Sequence, residues 1–240
     1  MQRDKLKNDD LFLQICMKKY ALIVAAGSGS RMGSEIPKQF MLLQGIPLFM
    51  HAAHVFLNMN DGFEIILLIP QNLNRELSVL LNNAIGSNPI KVVVGGRSRF
   101  ESVKIGLQHI PNDAMVFIHD AVRPFINHSL VESLSKTAKT HGCAIPAIDL
   151  TDSIRYVDEQ KNVMVERKLY KSVQTPQVFL SKGIKDAYHA TTHSDFTDDA
   201  SVYENNGNQI FLCEGLKENI KITFQEDFAW AEFRLSNKSE

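Results

Sequence analysis

The sequence predicts an α/β fold, a mostly parallel central sheet with helices on both faces, from which a β-hairpin arm protrudes. Three observations predict it. Short apolar runs without polar alternation recur along the chain, as buried parallel strands require. Segments with apolar residues at helical spacing separate them. Polar or glycine-bearing loops then follow the strands, where ligands of open parallel sheets bind.

The first run, Ala21 to Ala26, leads into a loop with Gly27, Gly29 and Gly33, and Arg31 and Lys38 lie close behind. Glycines let several backbone N–H groups approach phosphate oxygens, and the two cations add full charge, so this stretch outlines a phosphate site. It is not a Walker A loop, because Ser34-Glu35 follows Gly33 where Lys and Ser or Thr are needed. A dinucleotide fingerprint fails as well: Met32 stands where its third glycine belongs, and no acid occurs from Ile46 to His51. That weighs against a nicotinamide oxidoreductase.

Pro47 to Leu57 reads as a helix, with Phe49, Ala53 and Phe56 on one face. His51 and His54, one turn apart, lack a third ligand and read as packing or surface residues. Glu64 to Ile69 is a strand, Leu73 to Ala84 a helix, and Ile90 to Val94 a strand ending at Gly95-Gly96. Ser98 to Gln108 is the next helix, and the strand Ala114 to Ile118 runs into His119-Asp-Ala-Val-Arg-Pro124. Asn127 to Thr140 reads as a helix and Cys143 to Ile148 as a strand. Ser153 to Val157 and Asn162 to Glu166 then form a hairpin too small for a core of its own, which implies packing on another subunit. Beyond Gln174-Thr-Pro-Gln177 come a helix from Ser181 to Ala190, an N-cap at Thr197, strands at Gln209 to Cys213 and Asn219 to Thr223, and a helix from Glu226 to Leu235. His193, Asp195 and Asp198 read as a polar surface loop rather than a metal cluster.

The 240 residues are read as a single domain over 18–236, with 151–168 as the arm and 1–17 as a loose extension. Met1 to Cys16 is either a tail or a consequence of start-site choice. A net charge of −1, with both signs mixed along the chain, gives no reason to expect nucleic acid as a partner. No run is long enough to span a membrane, and Cys16, Cys143 and Cys213 have no metal or redox spacing, so a cytoplasmic location is expected.

Taken in order, Ala25-Ala26-Gly27-x-Gly29-x-Arg31-Met32 with Pro37-Lys38, Gly95-Gly96 with Ser102, the 119–124 stretch, Glu166-Arg167, Gln174 to Gln177, Thr197-Asp198 and Asn219 to Thr223 resemble a known pattern. It is that of the 2-C-methyl-D-erythritol 4-phosphate cytidylyltransferase family, within the sugar-phosphate nucleotidyltransferases. The resemblance implies a Rossmann-like nucleotidyltransferase fold, CTP and a small sugar-alcohol phosphate as substrates, Mg2+ as cofactor, and a homodimer joined through the arm. It places the triphosphate on Ala25, Ala26, Gly27, Ser28, Gly29, Ser30 and Arg31, with Lys38 as a second cation, and the cytosine against Ala25, Ala26, Gly95, Gly96 and Ser102. Asp120 would hold the metal between the substrates, with Ala121 near the ribose. Arg123, Ser153, Arg167, Thr175, Thr197 and Lys221 would surround the sugar phosphate, and Ser153 and Arg167 would reach the partner's site. Arg31, Lys38, Arg167 and Lys221 would be the catalytic cations. The chain departs from the pattern at Ser153, where threonine is usual, and at Arg97 beside Gly96. A ribitol 5-phosphate cytidylyltransferase is the nearest alternative, and a non-catalytic nucleotide-binding protein a remote one.

Overall fold

The computed structural model describes residues 17–27, 36–60 and 62–237. Among them an eight-stranded sheet runs in the order β10-β7-β11-β6-β1-β4-β5, with β12 also on β7. Four neighbouring strands run parallel, β1 (Lys19–Val24), β4 (Phe63–Ile69), β5 (Ile90–Val94) and β6 (Met115–Asp120), and β12 is parallel to β7. Between β1 and β4, the Gln44-Gly45 turn, with positive φ at both residues, joins the short antiparallel pair β2 (Leu42–Leu43) and β3 (Ile46–Pro47).

Alternation along the central strands makes two cores. Ala21, Ile23, Ile65, Leu67, Met115 and Phe117 face one layer, with α1 (Leu48–Leu57), α2 (Arg75–Ile85) and α4 (His128–His141). Leu22, Ile66, Leu68, Val116 and Ile118 face the other, with α3 (Arg99–Leu107), α5 (Ser181–Ala190) and α6 (Asp199–Asn205). The helices begin where the sequence supplies caps. Asn74, Ser98 and Asn127 each accept a backbone N–H of the first turn through the side chain. Gly106 lets α3 press on β1: a Cβ there would sit 2.5 Å from Leu22.

Several expectations change. Thr197 is exposed and does not cap α6; the cap is Asp198, which accepts from the Ser201 N–H. Asn219 to Thr223 joins no sheet ladder, although the Ile222 N–H donates to the Val122 carbonyl at 2.9 Å. The segment lies across the strand ends with Ile222 buried against Leu43, Leu48 and Val122, and α7 (Gln225–Ser236) packs on the same cluster through Ala231. The strand placed at Gln209 to Cys213 is β12, Leu212–Glu214.

The antiparallel part of the sheet was not expected. β11 (Gln177–Leu180) inserts antiparallel between β6 and β7 (Cys143–Asp149), and β10 (Lys171–Val173) lies antiparallel against the end of β7. A cis Thr175–Pro176 bond separates them. The arm is β8 (Arg155–Val157) paired with β9 (Asn162–Met164), shorter than expected and exposed along both strands.

Candidate active site

The parallel register brings the strand ends level, Val24 with Leu68 and Asp120, and Ile69 with Val94. A cleft of about 660 Å3 opens there, lined by Ala25, Ala26, Gly27, Lys38, Gly96, Arg99, Ser102, Asp120 and Lys221 among others. Ser28, Gly29, Ser30 and Arg31 lie outside the described residues.

Gln39 secures the start of the glycine loop, its Nε2 donating to the carbonyls of Ala25 and Gly27 at 2.7 and 2.6 Å. Across the cleft, the Gly95-Gly96 turn is pinned to α3. Ser102 Oγ accepts the Gly96 N–H at 3.0 Å and donates to the Ser98 carbonyl at 2.7 Å. Both glycines are required by space: a Cβ on Gly95 would lie 2.6 Å from Ala26 Cβ, and one on Gly96 2.4 Å from Glu101 Cβ. Gly95 thus packs directly against Ala26, and Ala26 and Gly96 both line the cleft.

Asp120 ends β6, and among the described residues lining the cleft it is the only acid. Lys221 Nζ donates to Oδ2 at 2.8 Å, and Arg99 Nε to Oδ1 at 3.1 Å. Burial, the largest effect, would push this carboxyl up. Arg99, then Lys221 and Arg123, override it and hold the group well below the usual carboxylate range. Behind Asp120 runs a directional chain. Its N–H donates to Thr175 Oγ1 at 3.0 Å, and Thr175 lies 3.1 Å from His119 Nδ1. His119 Nε2 lies 3.0 Å from the Arg123 carbonyl, which can only accept, so Nε2 carries the proton and Nδ1 accepts from Thr175. Burial keeps the imidazole neutral by pushing its pKa down to about 4.

Lys38 and Lys221 both line the cleft, with Lys38 Nζ donating to the Ile222 carbonyl at 2.9 Å. The extended 219–223 segment therefore holds one cation from below and supplies the other. Ala121 is wholly buried, its N–H on the Val24 carbonyl, so it shapes the floor without lining the cleft. Thr175 is buried too, its hydroxyl proton committed to His119. Arg123 donates through Nη1 to the Asn219 carbonyl at 2.8 Å. Among the described residues, Arg123 Nε and Asn219 Oδ1 are buried without a protein partner. Ser153, Arg167 and Thr197 are exposed and do not line the cleft, and Arg167 donates to the Thr151 carbonyl within the arm. His193 stacks on Phe196 with centroids 4.5 Å apart, and no cluster of metal-binding side chains occurs among the described residues.

Sequence reasoning gave no role to Gln39, Arg99, His119 or Asp199. Arg99 carried a signal, a cation directly after the cap of a helix that opens on a glycine turn, and His119 stood in the strand-end stretch 119–124.

A parallel sheet whose strand ends carry Gly27, a tight Gly-Gly turn and an aspartate between cations is the architecture of a nucleotide-handling α/β protein. The family model described as "IspD: 2-C-methyl-D-erythritol 4-phosphate cytidylyltransferase" matches residues 19–237, and the chain belongs to that family. It is 39% identical over 221 residues to the 2-C-methyl-D-erythritol 4-phosphate cytidylyltransferase of Porphyromonas gingivalis, covering 92% of this chain and 99% of the relative. To the protein of that name from Bacteroides fragilis it is 40% identical over 207 residues, covering 86% and 94%. Among solved structures, 4-diphosphocytidyl-2C-methyl-D-erythritol synthase from Anaerococcus prevotii superposes with a TM-score of 0.79 at 25% identity, covering 94% of this chain and 99% of that one.

Proposed function

We propose that the chain transfers the cytidylyl group of CTP to 2-C-methyl-D-erythritol 4-phosphate, releasing pyrophosphate. The observation that carries this reading is the Asp120 carboxylate between Lys221 and Arg99 in a cleft that Ala26 and Gly96 also line. Family membership supports the choice of substrates.

A sugar phosphate monoester has a second pKa of about 6 and is largely dianionic at neutral pH, so the nucleophile needs no strong base. The barrier comes from bringing two polyanions together. Fixed cations and in-line placement lower it, because charge grows on the α-phosphoryl group and on the departing pyrophosphate. In this reading Lys38 and Arg31 meet the triphosphate. Lys221 sits where it can exchange Asp120 for a phosphate oxygen of the acceptor. The Gly96 and Ser102 turn offers backbone groups to a cytosine edge.

Asp120 fits a magnesium site. Each oxygen receives one hydrogen bond and keeps a lone pair, and Mg2+ favours one or two carboxylates completed by water and substrate phosphates. When bound, the ion would neutralise charge on the triphosphate.

The arm carries Ser153 and Arg167 and exposes Val157, Val163, Met164 and Leu169, the last two about three-quarters exposed at 74% and 77%. Strands of three residues cannot bury these side chains themselves. In this reading a second copy of the chain covers them, and Ser153 and Arg167 complete the copy's acceptor site. No helix among the described residues is long and apolar enough to cross a membrane.

The test is pyrophosphate release by the purified chain with Mg2+ and CTP, with methylerythritol 4-phosphate and ribitol 5-phosphate offered in parallel. Release that depends on the methylerythritol ester and prefers CTP over UTP, ATP and GTP is the expected result. Preference for the ribitol ester would keep the nucleotide site and replace the acceptor.

A further inference from the structure

Arg99, the first residue of α3, joins two carboxylates on different layers of the molecule. Its Nε donates to Asp120 Oδ1 at 3.1 Å, while Nη1 and Nη2 grip Asp199 Oδ1 and Oδ2 at 3.0 and 2.7 Å. Asp199 is wholly buried at the start of α6 and does not line the cleft. Its Oδ1 also accepts from Tyr188 Oη at 2.6 Å, and its backbone N–H donates to Gln177 Oε1 at 3.0 Å. A carboxylate placed so deep is costly unless a cation meets it with good geometry, and the two parallel bonds from Arg99 do so.

The guanidinium is planar, and its N–H groups point in fixed directions. Holding both terminal nitrogens on Asp199 therefore sets the direction of the Nε–H, and that bond sets the rotation of the Asp120 carboxylate. With Oδ1 tied back, Oδ2 is the oxygen presented to Lys221. A lysine at 99 would keep one positive charge. Its single ammonium group cannot reproduce a planar fork aimed at two acids.

We infer that Arg99, clamped by Asp199, is a positioning residue for the nucleotide: it fixes the Asp120 carboxylate in the orientation that binds CTP. The inference rests on the cytidylyltransferase reading and deepens it. It assigns Asp199, which touches no substrate, an effect on nucleotide binding through two intervening side chains.

The experiment compares the full chain with Arg99→Lys, Asp199→Asn and Tyr188→Phe. Calorimetric titration with CTP and Mg2+ is combined with steady-state kinetics in each substrate and with thermal melts. Arg99→Lys and Asp199→Asn are expected to weaken CTP binding by about tenfold or more and to lower kcat/KM for CTP on the order of 10²-fold. KM for the sugar phosphate should rise by less than KM for CTP, because Lys221 keeps its charge and can still leave Asp120 for the acceptor phosphate. Tyr188→Phe leaves the fork in place and should remain close to the wild type. CTP binding by Arg99→Lys at wild-type strength would overturn the inference, because charge alone would then suffice. An equal rise in both KM values, or loss of the folded state in both Arg99→Lys and Asp199→Asn, would also overturn it, leaving the pair a purely structural role. If the wild type itself binds no CTP, the cytidylyltransferase reading falls. If the wild type and both variants bind and turn over CTP alike, that reading stands and this inference alone falls.

Discussion

The cleft and the arm are constructed in opposite ways. In the cleft, Asp120 keeps only 10% of its side chain exposed, and both oxygens are engaged by cations from separate parts of the chain. On the arm, Arg167 is exposed and bonds within the arm, and β8 and β9 bury none of their residues. Hydrogen bonds of long sequence separation brace the first region, whereas a turn closed by Asp158 holds the second. Among the described residues, those proposed for the nucleotide are held within one chain. The arm residues Ser153 and Arg167, proposed for the acceptor, get no burial from their own chain.

Breaking the braced region should have the largest effect. Asp120→Asn removes the charge that faces Arg99 and Lys221 and is expected to lower kcat on the order of 10²- to 10³-fold in the pyrophosphate assay, with the fold checked by circular dichroism. A loss below tenfold would mean that the cleft is not the electrostatic centre of the reaction. Lys38→Met should follow at about 10²-fold.

On the arm, the double substitution Val163→Asp and Met164→Asp should convert a dimer to a monomer in sedimentation and cost turnover about tenfold or more, with the melting temperature of the monomer little changed. If the wild type already sediments as a monomer, the contrast between the two regions needs another explanation. Arg167→Ala sharpens it further. KM for the sugar phosphate should rise by about tenfold, while CTP affinity measured by titration stays within about twofold. Gly95→Ala tests the tightness of the cleft, since its Cβ would meet Ala26 and Ser102 at 2.6 and 2.7 Å. The expected cost is about 1–3 kcal/mol, read from denaturant unfolding.

The smallest effect concerns His51, whose Nε2 bonds to the Leu43 carbonyl and whose pKa burial pushes below its ordinary 6.5. The fold favours the neutral ring, so the unfolded chain takes up the proton first. The His51 contribution is complete above pH 6.5 and fades as pH falls toward the folded value. His51→Gln should therefore melt with a shallower acid dependence than the wild type.

Much of the braced region was legible because its signals are local. Apolar runs announced the parallel strands, Gly95-Gly96 marked the end of one, and Asp120 stood at the end of another where ligands bind. Arg99 showed only that a cation begins α3; its partner Asp199 lies 100 residues away, beyond any spacing rule. Asn219 to Thr223 alternates as strands do, yet its anchor is the Val122 carbonyl, outside any ladder. Gln177-Val-Phe-Leu180 is too short to reveal that it runs antiparallel between two longer strands. Thr197 and Asp198 are both good caps, and one residue of offset decided between them.

The segment from Asn219 to Thr223 also orders events during synthesis. Lys38 bonds to Ile222 across 184 residues, Lys221 to Asp120 across 101, and Arg123 to Asn219 across 96. A ribosome that has delivered both the glycine loop and Asp120 has still made a protein without a finished cleft. Contacts of such separation form late, after the intervening chain has paid its loop entropy. The nascent chain therefore carries its nucleotide motifs long before Lys221 can close on Asp120 or Ile222 can hold Lys38.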